Sequence, residues 1–498
     1  MNKKLLYITA LFSLLIPVNK LTAQISYKIT PGGLKALEAV YDLRVNDAEK
    51  ILDKELKNHP QNHYTYFLLN YCDVFKVMYN PSRKAFDEFE KSAEKYMTIV
   101  ENDKDTSLLH LASLYEMKLY RGVLKIKFGE KFSGLRYAYG SYNGVHDLLK
   151  RHPGYAPMQK LDGMFNIALS NMPSFVKFSV SLFGVSGNYI DGVKIMEEYY
   201  NKVKQRKTYN IEAALFMIFA NKLNKTPQKA YNFIKTLPDS ISNIKILLFF
   251  KANLAYRTGH NEEAAGYLKK FNSQNIQYPF PFYHYLMGKI LLRKLDYKAV
   301  YHFDRFLVQN NNKDYLKEIN YKLALTYLIK GDIQNYEKYK NRACTTGDEI
   351  TERDRETIYD CRFNPLPDIN LTKAKLLIQG GYINRAGSIL KQGISRNIPT
   401  VADSLEFYLL KAKLMEKEGN TAASSALYQK VIDKGKDLKY QYACEAALQL
   451  GKSYERQKKF PQAKYYYQLS LSLYQSGFYE HLNSDAEKGL NRINMHLQ

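Results

Sequence analysis

Small residues recur along this chain at a spacing that suits a stack of helical hairpins. Ala252, Gly288 and Ala324 stand thirty-six residues apart, each in an apolar stretch, and Ala374, Ala412 and Gly451 continue at steps of 50, 38 and 39. Twelve and sixteen residues beyond the anchors come a second small residue and a bulky one: Ala264 and Leu268, Ala386 and Leu390, Ser424 and Tyr428, Ala463 and Tyr467. Two helices that cross closely need a small side chain at the crossing and a large one filling the gap beside it. Gly259, Gly331, Gly381 and Gly419 each fall seven residues after an anchor, where the first helix of a pair must end. Two units fit less closely. The Gly288 unit needs a one-residue deletion to place Ala299 and Phe303, and the Ala324 unit carries Tyr336 and Lys340. No strand-like alternation occurs, so the expected fold is all-α, an α-solenoid.

The same spacing appears near the start. Ala48, Leu52 and Pro60 follow Ala36 at offsets of twelve, sixteen and twenty-four. Helical periodicity continues through Tyr64–Met78, Lys84–Val100, Ser107–Phe128 and Lys131–Arg151, and His152-Pro153-Gly154 echoes His59-Pro60 as a stop. The final unit, AALQLGKSYERQKKFPQAKYYYQLSL, resembles a tetratricopeptide repeat. The long step between Ala324 and Ala374 contains a charged insert, about 341–368, with a short helix expected near Glu349–Tyr359 and a turn at Pro365 and Pro367. The expected division is 1–23 as a signal peptide, 24–157 as N-terminal helical repeats, 158–207 as a non-repeat central apolar hairpin, and 208–498 as C-terminal tetratricopeptide-like repeats.

The central block has its own punctuation. Pro173 must end a helix, Ser174 can cap the next over Phe175–Phe183, and Gly184, Gly187 and Gly192 allow sharp reversals. Its phrases are Gly163-Met164-Phe165-Asn166-Ile167-Ala168-Leu169-Ser170-Asn171-Met172-Pro173 and Gly184-Val185-Ser186-Gly187-Asn188-Tyr189-Ile190-Asp191-Gly192. With Gly134–Tyr139 upstream and Leu248–Asn253 downstream, they resemble the tetratricopeptide-repeat-39 and inclusion body clearance family. Asn188 stands where the family phrase has Asp. The resemblance implies a helical repeat protein without a catalytic site, from a family linked to lipid homeostasis and aggregate clearance. Those members lack an export signal, so only the architecture is expected to transfer.

An export signal is legible here. Lys3 and Lys4 precede an apolar run from Leu5 to Val18, and Leu21-Thr22-Ala23 offers a cut after Ala23. That run is short for a bilayer span, so the chain is expected in the periplasm or secreted. Composition agrees with a folded protein, at 45% hydrophobic and 24% charged residues. The absence of Trp beside 43 Tyr and 25 Phe suits half-wet helix contacts. Four cysteines form no CxxC and have no His at zinc-ligand spacing, so no metal site is expected. Cys344 and Cys361 flank the insert and could be bridged in an oxidising compartment; free half-buried thiols are the other reading.

The net charge is +24, unevenly spread. Between Asn201 and Lys235 eight basic residues face Glu212 alone. Lys202, Lys204, Arg206 and Lys207 are therefore candidates for an anionic surface, with a solvated face as the plainer reading. An exported chain meets lipid head groups rather than chromosomal DNA, so no nucleic-acid partner is expected. No HExxH, GxGxxG or GxxxxGK[ST] occurs, and Gly184-Val185-Ser186-Gly187 departs from a nucleophile elbow. Neither a catalytic residue nor a cofactor is expected. The chemistry expected is a protein or peptide bound in the solenoid groove, lined by Tyr285, Lys289, Lys322, Lys375, Lys411 and Lys452. The alternative is a peripheral lipid-binding protein using the apolar hairpin and 201–235.

Overall fold

The structure, a computed structural model, describes residues 27–170, 184–223, 226–271, 276–349, 351–363, 366–474 and 479–497. The signal segment, and the helix expected over Phe175–Phe183 with its Pro173 stop, lie outside the described residues. Every described element is a helix. The first eight are α1 (Pro31–Tyr41), α2 (Val45–Asn58), α3 (Tyr64–Tyr79), α4 (Arg83–Glu101), α5 (Leu108–Lys127), α6 (Lys131–Arg151), α7 (Ala156–Ser170) and α8 (Tyr189–Val203). Then come α9 (Asn210–Leu223), α10 (Pro227–Lys235), the short α11 (Asp239–Ser242), α12 (Lys245–Arg257), α13 (Asn261–Phe271), α14 (Phe282–Arg293), α15 (Ala299–Gln309), α16 (Leu316–Leu328) and α17 (Ile333–Thr345). The last eight are α18 (Glu352–Phe363), α19 (Ile369–Gly380), α20 (Ile383–Gln392), α21 (Val401–Lys417), α22 (Thr421–Gly435), α23 (Tyr442–Arg456), α24 (Phe460–Leu473) and α25 (Glu480–Leu497).

The architecture is an all-α solenoid of tetratricopeptide-like hairpins. First helices also pack on one another, α12 on α14, α14 on both α16 and α19, α19 on α21, α21 on α23 and α23 on α25, and together they form one inner row. The crossings are built as the spacing predicts: Ala252, Ala264, Leu268, Ala374, Ala386, Ala412, Tyr428, Ala463 and Tyr467 are all buried. At two crossings the bulky partner is a ring pressed so close that only glycine fits as the anchor. A Cβ on Gly288 would meet Phe303 at 2.6 Å, and one on Gly451 would meet Tyr467 at 2.7 Å.

The seventh residue after each anchor is left-handed throughout. Gly259, Gly331, Gly381 and Gly419 have φ between 80° and 84°. Leu43, Leu295 and Lys458, seven after Ala36, Gly288 and Gly451, take 60°, 62° and 58° without being glycine. The hairpin geometry thus overrides the backbone preference of the residue placed there.

The N-terminal hairpins do not lie apart from the later repeats. One hydrophobic core joins Tyr41, Leu52, Phe67 and Tyr71 to Ile218, Leu247, Phe271 and Ile290. Gln277 bridges the two parts: its side-chain oxygen accepts from the Asp47 amide at 3.0 Å, and its own amide donates to the Leu43 carbonyl at 3.3 Å. Tyr79 meets Phe280 edge-on at 5.7 Å, and Asn312 donates to the Pro81 carbonyl. The array therefore curls until its first hairpins touch α12–α15 and the turn beyond them. No described helix is long and apolar enough to cross a membrane.

Candidate functional site

The inner row of the C-terminal half carries a ladder of ion pairs. Lys289 on α14 donates to Glu318 on α16 at 2.8 Å, and Lys375 on α19 to Glu406 on α21 at 3.3 Å. Lys413 on α21 meets Glu445 on α23 at 2.6 Å, and Lys452 on α23 meets Asp485 on α25 at 2.8 Å. The partners lie 29, 31, 32 and 33 residues apart, so the ladder repeats with the hairpins. Each pair joins successive first helices inside a concavity, where screening is weaker than on an open face.

Three of the expected groove residues converge on one carboxylate. Tyr285 donates to Glu318 at 2.6 Å and accepts from Lys289 at 2.8 Å. Lys322 lies beside the same cluster, and burial, with the charges of Lys289 and Arg353, pushes its ammonium below the usual range. Lys375 and Lys452 belong to the ladder, whereas Lys411 is exposed. Lys289 is itself buried. These side chains are thus committed to one another before any partner arrives.

The insert lies within this concavity. Asp354, Glu356, Thr357, Ile358 and Tyr359 of α18 are buried. Asp354 accepts from the Tyr315 and Glu318 amides at 2.8 and 3.0 Å, closing the N-terminus of α16, which has no side-chain cap of its own. Tyr479 donates to Asp360 at 2.7 Å, and Tyr359 donates to the Lys439 carbonyl at 3.3 Å. Asp360 is acted on by Lys375 of α19 and Lys322 of α16, and Arg353 by Glu318 and Tyr285. The helix is therefore ringed by side chains from successive first helices. Cys344 of α17 and Cys361 of α18 are joined in a disulfide, with Cα atoms 6.0 Å apart. Cys72 and Cys444 are buried free thiols, and burial raises the pKa of Cys444 to about 11, away from reactivity.

A second charged cluster sits inside the N-terminal curl, where α1, α3, α5, α7 and α9 meet. Lys160 reaches Glu116 at 2.9 Å and Glu212 at 2.7 Å, all three buried. Around them is a cavity of about 30 Å³ lined in part by Tyr41, Tyr64, Tyr71 and Tyr209, room for a water or two. Burial raises the Glu212 carboxyl to about 7, with Glu116 adding to the rise and Lys160 opposing it. Although burial opposes it, the two carboxylates hold Lys160 above its ordinary value. Sequence spacing carried no sign of this triad, because its members come from three separate hairpins.

The expected anionic-surface residues are exposed at the end of α8 and the turn after it. Lys202 donates to the Gly154 carbonyl and Lys204 to Asn201. Lys204 and Lys207 line an open cleft of about 670 Å³ with Arg44, but Glu38 and Asp42 share it, so its charge is mixed.

No family model and no curated protein matches the chain. Among solved structures, a monomeric mutant of IFIT1 with m7Gppp-AAAA is 14% identical, covering 93% of this chain and 97% of its own at a TM-score of 0.33. The human IFIT1 dimer with PPP-AAAA is 12% identical, covering 95% and 96% at 0.32. The APC/C hetero-tetramer Cut9-Hcn1 is 11% identical, covering 93% and 95% at 0.27. Likeness at these scores carries no argument about what this chain binds.

Proposed function

We propose that the chain is an exported, non-enzymatic scaffold that holds a protein or peptide segment on the concave side of its C-terminal repeats. One observation supports this above the rest: that concavity receives a helix, α18, through Asp354, Tyr359 and Asp360. A face that meets one helix with lysines, carboxylates and tyrosine hydroxyls has the chemistry to meet another. In this reading α18 stands in for the partner segment, and an incoming acidic or amphipathic helix competes with it for Lys322 and Lys375. Export to a periplasmic or extracellular compartment rests on residues 1–23, and the Cys344–Cys361 bridge is in keeping with such a compartment. The tetratricopeptide-repeat-39 resemblance contributes architecture only.

The test is affinity capture by the full mature chain from a native envelope fraction. One stoichiometric partner is expected, recovered in larger amount with Asp360→Asn, which loosens α18. Repeated recovery of the chain alone would sink the reading.

A second reading, attachment to an anionic membrane, is favoured by a separate observation. On α6, Phe132 is 93% exposed and shares a helix face with exposed Leu135 and Tyr139, with Lys131 just before it in sequence. Apolar side chains rimmed by lysines suit a lipid interface. Flotation with anionic vesicles at low salt, lost with Phe132→Ala and Leu135→Ala or with substitution of Lys202, Lys204 and Lys207, would favour it. No flotation at low salt would exclude it.

A further inference from the structure

We propose that the Cys344–Cys361 bridge is a redox latch on the concavity: a dithiol reductant opens it, α18 swings out, and the inner-row groups beneath become free for a partner. This rests on the concavity being the partner's surface, as above, and adds what controls access to it.

Apart from the bridge, polar contacts do most of the holding. Asp354 caps α16, Glu356 meets His481 of α25 at 2.6 Å, and Arg355 donates to Glu480 at 2.8 Å. Of the described side chains on α18, only Ile358 and Tyr359 are buried apolar ones. Contacts of the polar kind add little net stability each, and a helix of 12 residues is marginal by itself. The covalent tie therefore weighs heavily. Cys344 lies in the last turn of α17 and Cys361 in the last turn of α18, so the bond closes 17 residues of chain. Closing a loop of that length disfavours the detached state by roughly a hundredfold. With the bond cut, only the chain to α17 and to α19 tethers α18.

The four cysteines divide in a way that suits reversible opening. Cys344 and Cys361 are both partly exposed, within reach of a reductant. Cys72 and Cys444 are sealed, and burial holds both thiols well above the ordinary range, so neither competes for the bridge. The buried Lys317 ammonium donates to the Cys344 carbonyl at 3.5 Å, placing a positive charge near the thiolate that reduction releases. A thiolate of the dithiol attacks Cys361, the S–S bond breaks toward Cys344, and the second thiol of the reductant expels Cys361. Two electrons and two protons pass to the chain, giving two cysteine thiols, and the dithiol leaves as its own disulfide.

The test is amide exchange, read by mass spectrometry, on the full mature chain in native buffer with and without dithiothreitol. Peptides from α18 should exchange at least about tenfold faster once reduced, while those of α1–α4 keep their protection. Iodoacetamide should then label Cys344 and Cys361 but not Cys72 or Cys444. Reoxidation should restore the slow exchange, and Cys344→Ser with Cys361→Ser should reproduce the fast exchange without reductant. Far-UV circular dichroism should be nearly unchanged throughout. A bridge that resists native dithiothreitol, or α18 protection unaltered by its reduction, would overturn the latch and leave the scaffold reading standing. Faster exchange with no partner captured would instead sink the scaffold reading alone.

Discussion

Asp354 of the insert helix accepts the backbone amide of Glu318 at 3.0 Å, so α18 supplies the N-terminal cap that α16 lacks. The residue before α16, Tyr315, is left-handed at φ 65° and brings no capping side chain. Asp354→Ala leaves two amides without their acceptor and should cost about 1–2 kcal/mol. Because a repeat array opens locally, the check is amide exchange. The Tyr315 and Glu318 amides should lose protection while those in α1–α4 keep theirs.

The seventh position of the hairpins offers opposed substitutions. Lys458→Gly removes a side chain from left-handed backbone at an exposed turn and should stabilise by roughly 0.5–1 kcal/mol. Gly381→Ala should destabilise, since φ there is +82° and a Cβ would meet the Gly259 carbonyl at 2.3 Å. Thermal melts of the two variants should move in opposite directions.

The buried triad links stability to both charge and pH. Lys160→Met strands two carboxylates and should cost about 3–5 kcal/mol. The Glu212 carboxyl is raised by burial from 4.5 to about 7 in the fold. The folded state therefore holds a proton that the unfolded chain releases. Its contribution is full below about 4.5 and is lost as pH rises through 7. Glu212→Gln should flatten that decline in a series of denaturant midpoints from pH 5 to 8.

His284 works in the opposite direction. Its Nδ1 lies 3.0 Å from that of His302, and burial, aided by His302 and Arg305, lowers it from 6.5 to about 4. The unfolded chain then binds more protons through this window, so stability present above about 6.5 is lost as pH falls through 4. His284→Phe should remove that slope, read from melts between pH 4 and 7.

The hairpins were legible because their signal is local. Ala264 and Leu268 must follow Ala252 at fixed offsets, since one turn and one crossing fix the geometry. The insert helix was legible as a helix, expected near Glu349–Tyr359 and found over Glu352–Phe363. Its place was not, since nothing in a charged stretch says that Asp354 caps a neighbour or that Asp360 faces Lys322 and Lys375. Of the lysines expected in the groove, Lys289, Lys375 and Lys452 take part in the ladder and Lys411 does not, and the pairing itself went unseen. A carboxylate about thirty residues after each ladder lysine was the available clue, visible once inner positions are compared across units.

The amino-acid sequence by itself determined the helices, their pairing and the left-handed turn wherever the seventh position is glycine, because these rest on contacts within one hairpin. Tertiary structure decided which charges meet. Curvature brings Glu318 to Lys289, Glu212 to Lys160 and His481 to Glu356. Curvature accumulates from small rotations at every stacked hairpin, and no single stretch of the chain encodes that sum.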